Sequence, residues 1–383
     1  MLKSIQTAIE QLQTPEWAVL YVFCTICIFR IFYQVCFTGR VFRKKPEFDG
    51  GVLPLSLILT LRNEEDNIRK YLPTVLEAKK SGFELIAVDD FSADNSMALL
   101  GSLKEKYSHL KISALNQETW HSVKMAQNIA IKAARYDWVM VIPPSICKFD
   151  PEWLQVISSY MNNDVDVIVN YSNVHHTGSF FNMLYRVENF FQQIKSAGYI
   201  VVGLPFVVSE ENIAFRKIKY YDSGGYRHKV GEPYANLELL INTFIRKKST
   251  RILFSGKTKI LRDEVIDASE FFDLLKKEIR IRKHLKKSKK IMPAIEEFTE
   301  CIFLPFMAGI YFLIPPLLPV LLFLLFLIIL TKLFIIKKAI KRLNESKLLL
   351  SSLTYALFMP CLKLGYRFYY NHYILKKRCK SKR

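Results

Sequence analysis

The sequence predicts an α/β domain, a mostly parallel sheet with helices on both faces, set between transmembrane helices near the two ends of the chain. Three observations predict it. First, between residues 46 and 295 short runs of β-branched and aliphatic residues alternate with helical patterns, which implies parallel strands covered on both faces. Second, half of the 383 residues are hydrophobic although 23% are charged, and mean hydropathy is +0.11. Soluble domains seldom combine these values, so the apolar residues must be concentrated, and they are, in segments near both ends. Third, 55 Lys+Arg against 35 Asp+Glu give a formal charge of +20, and the basic residues cluster beside those apolar segments. Arg40, Arg43, Lys44 and Lys45 follow the first; the runs 276–290, 337–347 and 376–383 flank the others. This is the flanking pattern of a membrane protein. It argues against nucleic acid as the partner, because the clusters are not interleaved with aromatics on a sheet face. Disorder is excluded by the many aromatic and β-branched residues, and seven Cys, an odd number, make no disulfide framework.

The elements follow in order. Residues 17–37 (WAVLYVFCTICIFRIFYQVCF) are long enough to cross a bilayer. Arg30 lies toward the basic end, from which it can snorkel, and no small-residue cleavage site follows. Residues 1–40 are therefore expected to be an uncleaved anchor with the N-terminus outside and residue 40 onward in the cytosol. Strands are expected at 53–60, 84–88, 110–115, 138–142 and 165–171. Helices are expected at 64–80 (kinked by Pro73), 96–107, 123–134 and 151–161. Residues 299–336 read as a transmembrane hairpin, 299–314 and 317–336, turning at Pro315-Pro316. The remainder, 337–383, reads as a basic linker, an interfacial or re-entrant helix at 348–366, and a basic tail.

Ligands of such sheets bind at the carboxyl ends of the strands. After the first strand stand Arg62, Asn63 and Glu64; after the second stand Asp89, Asp90 and then Ser92, Asp94 and Asn95. Helix capping accounts for Asp94. It does not account for Asp89 and Asp90, adjacent carboxylates that are costly without a partner.

These residues carry a resemblance. LILTLRNEEDNIRKYLPTVL, LIAVDDFSADNS, VKMAQNIAIKAARYDWVMVI and PEWL together resemble the family 2 glycosyltransferases of GT-A fold, over about residues 50–290, and the membrane segments resemble a bacterial branch. The resemblance implies a cytosolic GT-A-like domain at 46–295 on the inner membrane. It implies a UDP- or GDP-sugar donor gripped by Arg62, Asn63, Glu64, Asp89 and Asp90, with Lys124 near the donor. It also implies a membrane lipid or lipid-linked acceptor.

The resemblance further implies a D-x-D holding Mg or Mn on the diphosphate, a carboxylate base, and a Q-x-x-R motif. All three are substituted. Pro143 and Ser145 stand at the two aspartate positions, and Asp150 reads as a helix cap. A divalent metal, though expected of the family, is therefore doubtful here, and no metal ligands are assigned. For the base motif the chain has Ala235-Asn236-Leu237-Glu238, so Glu238 and Glu232 are the candidate bases. The third motif reads Arg280-Ile281-Arg282-Lys283-His284, with His284 retained; the reading as part of the juxtamembrane basic face that runs on to Lys290 is favoured there. Glu210 and Glu211 add negative charge before Asn212. Two functions stay open: a membrane-bound glycosyltransferase in cell-envelope glycan or glycolipid synthesis, and an inactive relative serving as a binding or scaffold subunit, with a protein partner, in an envelope glycan complex.

Overall fold

A computed structural model of the chain describes residues 13–42, 52–79, 82–118, 122–204, 206–227 and 229–374. The described chain forms two compact units. Of the described residues, one comprises those of Val41–Leu285 with Arg342–Ser346; the other holds residues 13–40, 286–341 and 347–374.

In the α/β unit, β1 (Leu55–Leu61) is buried on both faces and lies between β2 (Phe83–Asp89) and β4 (Trp138–Ile142), parallel to each. β3 (Leu110–Ala114) extends the sheet parallel to β2. Alternate residues serve opposite helix layers. Leu57, Leu59, Leu85, Ala87 and Met140 share a core with Ile68 and Leu72 of α2 (Glu65–Leu76) and Leu100 of α3 (Ser96–Lys106). The other face is covered by α4 (Ser122–Ala133), which packs on β1 and β2. Glu84, a buried charge in β2, is offset by the Ser56 hydroxyl at 2.6 Å, the Arg135 N–H at 2.6 Å and Lys111 at 2.7 Å.

Beyond β4 the sheet continues with β8 (Ile213–Arg216), then β6 (Val167–Val169) and β9 (Thr250–Ile252). β8 runs antiparallel to both of its neighbours, whereas the other pairings in this sheet are parallel. The sheet is therefore mixed, with helices on both faces. A second sheet joins β5 (Ile146–Phe149), β10 (Ile260–Arg262) and β7 (Ser172–Val174). The strand expected at 165–171 is the shorter β6, and β7 of the second sheet begins just after it. The break is made by Asn212, which accepts from Asn170 through its carbonyl and donates from Nδ2 to the Tyr171 carbonyl at 2.8 Å. The helix expected at 151–161 is the shorter α5 (Trp153–Ser158). Asp150 does not cap it: its carboxylate accepts the Glu152 N–H, one residue before the helix begins. The remaining helices are α6 (Phe180–Val201), α7 (Lys217–Asp222), α8 (Glu238–Phe244) and α9 (Ala268–His284). Residues 342–346 are built into this unit. Glu345 and Arg186 of α6 meet at 2.9 Å with side chains 1% and 2% exposed, and Arg342 donates to the Phe254 carbonyl at 3.0 Å.

The helical unit contains α1 (Thr14–Tyr33), α10 (Lys287–Leu313), α11 (Leu318–Leu343) and α12 (Leu349–Tyr369). Phe23 and Cys27 of α1 pack with Phe303, Ile310, Leu321 and Ile328. Glu300 meets Lys332 at 3.4 Å across the turn at Pro315–Leu317, so α11 doubles back along α10. Two described stretches are long and apolar enough to cross a membrane, Thr14–Val41 and Pro315–Leu343. The first arm of the expected hairpin is not one of them. Glu296, Glu297 and Glu300 stand in mid-α10, leaving an apolar run from Cys301 to Leu313 that is about 20 Å long at 1.5 Å per residue. Arg30 is held within the helical unit. Its guanidinium lies over the Phe303 ring at 4.8 Å and donates to the Thr299 carbonyl at 3.1 Å.

Candidate functional site

The carboxyl ends of β1 and β2 finish in register, Leu61 beside Asp89, and the Asp90 N–H donates to the Leu61 carbonyl at 2.8 Å. From there the two loops interlock. The Asn63 N–H donates to the Ser92 hydroxyl at 2.9 Å, and the Asn63 side-chain oxygen accepts the Ala93 N–H at 2.8 Å. The Asp89 carboxylate accepts the Ser92 N–H at 3.1 Å and the Ser92 hydroxyl. Asp94 accepts the N–H groups of Ser96 and Glu65, each at 3.0 Å, so it caps one loop while tying down the other. Two non-glycine residues are left-handed here, Asn63 at φ 54° and Phe91 at φ 60°. Asparagine tolerates that region; for phenylalanine it is strained. Phe91 nonetheless keeps its ring 45% exposed. Arg62 is exposed and pairs with Glu118 at 2.5 Å. Glu64 accepts from Asn67 at 2.6 Å; burial raises its pKa despite that hydrogen bond. Asp90 is buried.

The end of β4 carries Pro143, Pro144 and Ser145. The Ser145 hydroxyl is buried and donates to Glu264 at 2.9 Å, while the Ser145 carbonyl accepts the Asp263 N–H at 2.8 Å. Asp263 itself is engaged by Lys70 at 3.1 Å and by the Tyr71 hydroxyl. Arg262 reaches both Glu211 and Glu264 at 2.9 Å and donates to the Tyr185 hydroxyl at 3.1 Å. Burial raises the Glu211 pKa, against the pull of Arg262. These residues do not fit a divalent ion. Proline offers no side-chain ligand, Ser145 is committed to a carboxylate, and both neighbouring glutamates are neutralised by a guanidinium. Among the described residues no group of three or more His, Cys, Asp and Glu side chains converges as a metal site would require.

The two candidate bases lie deeper. Glu238 opens α8 fully buried; one oxygen accepts the Asn236 N–H at 2.9 Å, and the other lies 2.5 Å from the Lys277 ammonium. Glu210 sits against it, accepting from Gln127 at 3.0 Å and the Leu237 N–H at 2.7 Å. Burial first, and the Glu238 charge second, push the Glu210 carboxyl up to about 8. Glu232 is clasped at two points by Arg280, Nε at 2.8 Å and Nη2 at 2.6 Å, and also by His284 at 2.9 Å. Burial alone would raise its pKa, but these hydrogen bonds prevail and hold it below the usual carboxylate value. Lys124 is buried and donates to the backbone carbonyls of Val230, at 3.2 Å, and Glu232, so its ammonium anchors the loop that carries Glu232. Burial lowers its pKa.

Lys277, Arg280 and His284 recur at helical spacing along one face of α9. Within the run read as a juxtamembrane basic face, Arg280 and His284 turn onto Glu232. Lys277, Arg262 and Glu264 were missed as candidates. The signal available for the last two was a charged run, Arg262-Asp263-Glu264, set directly at the end of a strand.

Residues 56–218 match the family described as Glycosyl transferase family 2. Poly-beta-1,6-N-acetyl-D-glucosamine synthase of Staphylococcus aureus (strain MSSA476) is 33% identical over 100 residues, 26% of this chain and 24% of that protein. The same protein of strain MW2 gives the same values. The match spans about a quarter of the length of these relatives. Among solved structures, mannosyltransferase PcManGT from Pyrobaculum calidifontis, in complex with GDP-Man and Mn2+, superposes with a TM-score of 0.52 at 15% identity, covering 93% of this chain and 99% of that one. The likeness is one of fold: the chain carries a family-2 glycosyltransferase-like fold.

Proposed function

We propose that this chain is a membrane-bound glycosyltransferase of the family 2 type, using a nucleotide-sugar donor at the cytosolic face of the inner membrane. The acceptor would be a membrane lipid or lipid-linked glycan of the cell envelope. The observation that carries the reading is the interlocked pair of loops at the carboxyl ends of β1 and β2. There Asn63, Asp89, Ser92 and Asp94 hold one another, leaving Arg62 and the Phe91 ring exposed beside Asp90. Such a rim suits a planar base. In this reading Arg62, Asn63, Glu64, Asp89 and Asp90 take the nucleoside. Lys124, His284 and Arg280 act at one remove by fixing the loop around Glu232. Glu238, 2.5 Å from the Lys277 ammonium, takes the acceptor hydroxyl's proton, and the neighbouring Glu210 is the carboxyl whose pKa burial raises. The two apolar helices support residence in a membrane.

A second reading, binding without turnover, is favoured by a specific observation. Glu238 and Glu232 are both buried in ion pairs, and Pro143 and Ser145 offer nothing to a divalent ion. The chain would then bind a nucleotide or a protein as a scaffold of an envelope glycan complex. Nucleoside diphosphate release from UDP- and GDP-sugars, measured with the full chain in native membranes, separates the two. The first reading expects release that falls at least a hundredfold in Glu238→Gln. Saturable nucleotide binding with no release under any metal establishes the second.

A further inference from the structure

We propose that Arg262 is a built-in cation occupying the place of a divalent ion at the carboxyl end of β4, so that this chain binds its nucleotide without metal. Three segments converge there. The Asn212 N–H donates to the Val141 carbonyl at 2.9 Å, which lays Glu211 beside the end of β4. The Asp263 N–H donates to the Ser145 carbonyl at 2.8 Å, which lays Arg262 and Glu264 beside the residues that follow β4. The side chains then close on one point. Arg262 Nη1 meets Glu211 Oε1 at 2.9 Å and Glu264 Oε2 at 2.9 Å, and Glu264 Oε1 accepts from Ser145 at 2.9 Å.

Two partly buried carboxylates, their side chains 21% and 32% exposed, that meet at one guanidinium nitrogen call for a counter-charge. A divalent ion would serve if a third oxygen ligand and open coordination positions were present. Here the guanidinium supplies the charge from within the fold. It is itself nearly buried, at 6% exposed, and held from its other side by the Tyr185 hydroxyl at 3.1 Å. A fixed guanidinium and a divalent ion repel each other too strongly to share one pair of carboxylates. The arrangement therefore excludes the ion as well as replacing it. Arg262 is a positioning residue; its effect on nucleotide binding rests on the donor-binding reading above, whereas its effect on metal binding does not.

The test keeps these apart. Mn2+ is titrated into the full chain in detergent and followed by electron paramagnetic resonance. The wild-type protein is expected to bind Mn2+ no more tightly than millimolar. Arg262→Gln, which frees Glu211 and Glu264, is expected to bind at least tenfold tighter, and adding Glu264→Gln is expected to abolish the gain. Equal Mn2+ affinity in the wild type and Arg262→Gln would overturn the proposal. Should Arg262→Gln fail to fold, Arg262→Lys retains the charge and is expected to stay blind to Mn2+; micromolar Mn2+ binding by it or by the wild type would overturn the proposal. In a parallel arm, UDP and GDP are titrated with EDTA or with Mn2+. Equal affinity supports the metal-free consequence, and binding that requires Mn2+ contradicts it. Absence of nucleotide binding in both conditions would defeat the donor-binding reading and the metal-free consequence together, leaving the cation replacement to be decided by the Mn2+ titration.

Discussion

Arg280 grips Glu232 through two parallel hydrogen bonds, Nε to Oε1 at 2.8 Å and Nη2 to Oε2 at 2.6 Å, across 48 residues of sequence. The glutamate side chain is 2% exposed and that of the arginine 20%. Two-point pairing of this kind fixes geometry as well as charge, and here it ties the loop before α8 to α9. Glu232→Gln is expected to cost about 2–4 kcal/mol of stability by removing the carboxylate that Arg280 clasps. The carboxyl is held below its ordinary value of 4.5 by Arg280 and His284, which outweigh its burial. The stability it contributes is complete above about pH 4.5 and is lost as pH falls through the lowered value. Denaturant titrations of the wild type and Glu232→Gln between pH 3 and 7 should therefore converge at the acid end.

Glu210 behaves in the opposite sense. Its carboxyl is raised from 4.5 to about 8, by burial and then by Glu238. Between those pH values the folded chain keeps a proton that the unfolded chain releases, so stability falls as pH rises from about 4.5 to about 8. Glu210→Gln carries no such proton. It is expected to gain stability relative to the wild type at pH 8–9, with little gain at pH 4, as read from thermal melts at both pH values.

Arg62 separates a binding role from a structural one. Its pair with Glu118 is exposed on both sides, and such pairs contribute less than about 1 kcal/mol to folding. Arg62→Ala should melt within a degree or two of the wild type. Its nucleotide affinity should drop by about tenfold, roughly 1.4 kcal/mol. Equal affinity in the two proteins would remove Arg62 from the donor site.

The segment 342–346 is expected to be integral to the α/β unit. Glu345 and Arg186 are buried together, and Lys259 donates to the Asn344 carbonyl at 2.8 Å. Glu345→Ala leaves Arg186 buried without its carboxylate and should cost about 3–5 kcal/mol. Limited proteolysis of the variant should expose sites between β6 and β10 that the wild type protects.

Much of the parallel half of the fold was legible in the sequence. β4 lies where WVMVI predicts it, and β1 and β2 differ from the expected strands by one or two residues at each end, because long buried apolar runs punctuated by Asn, Asp and Ser have few other structures open to them. The small sheet was not legible. β5, β7 and β10 have three or four residues each, too few for a period of two to show, and Ser172-Asn173 look like a loop until Gln193 and Asn189 of α6 are seen to satisfy the Ser172 backbone. The loop residues of the site were readable because they sit at strand ends. Their ion pairs were not, since Glu232 finds Arg280, and Glu211 finds Arg262, only through tertiary packing. Spacing along the chain carries no trace of such meetings.

The loops after β1 and β2 are expected to hold a nucleotide that needs no metal. Calorimetric titration of UDP and of GDP into the full-length protein in detergent, once with EDTA and once with Mn2+, tests it most directly. The account predicts saturable one-to-one binding of at least one nucleotide, with the same affinity in both buffers and a clear loss in Asp90→Asn. Binding that appears only with Mn2+, or no binding of either nucleotide, would contradict it.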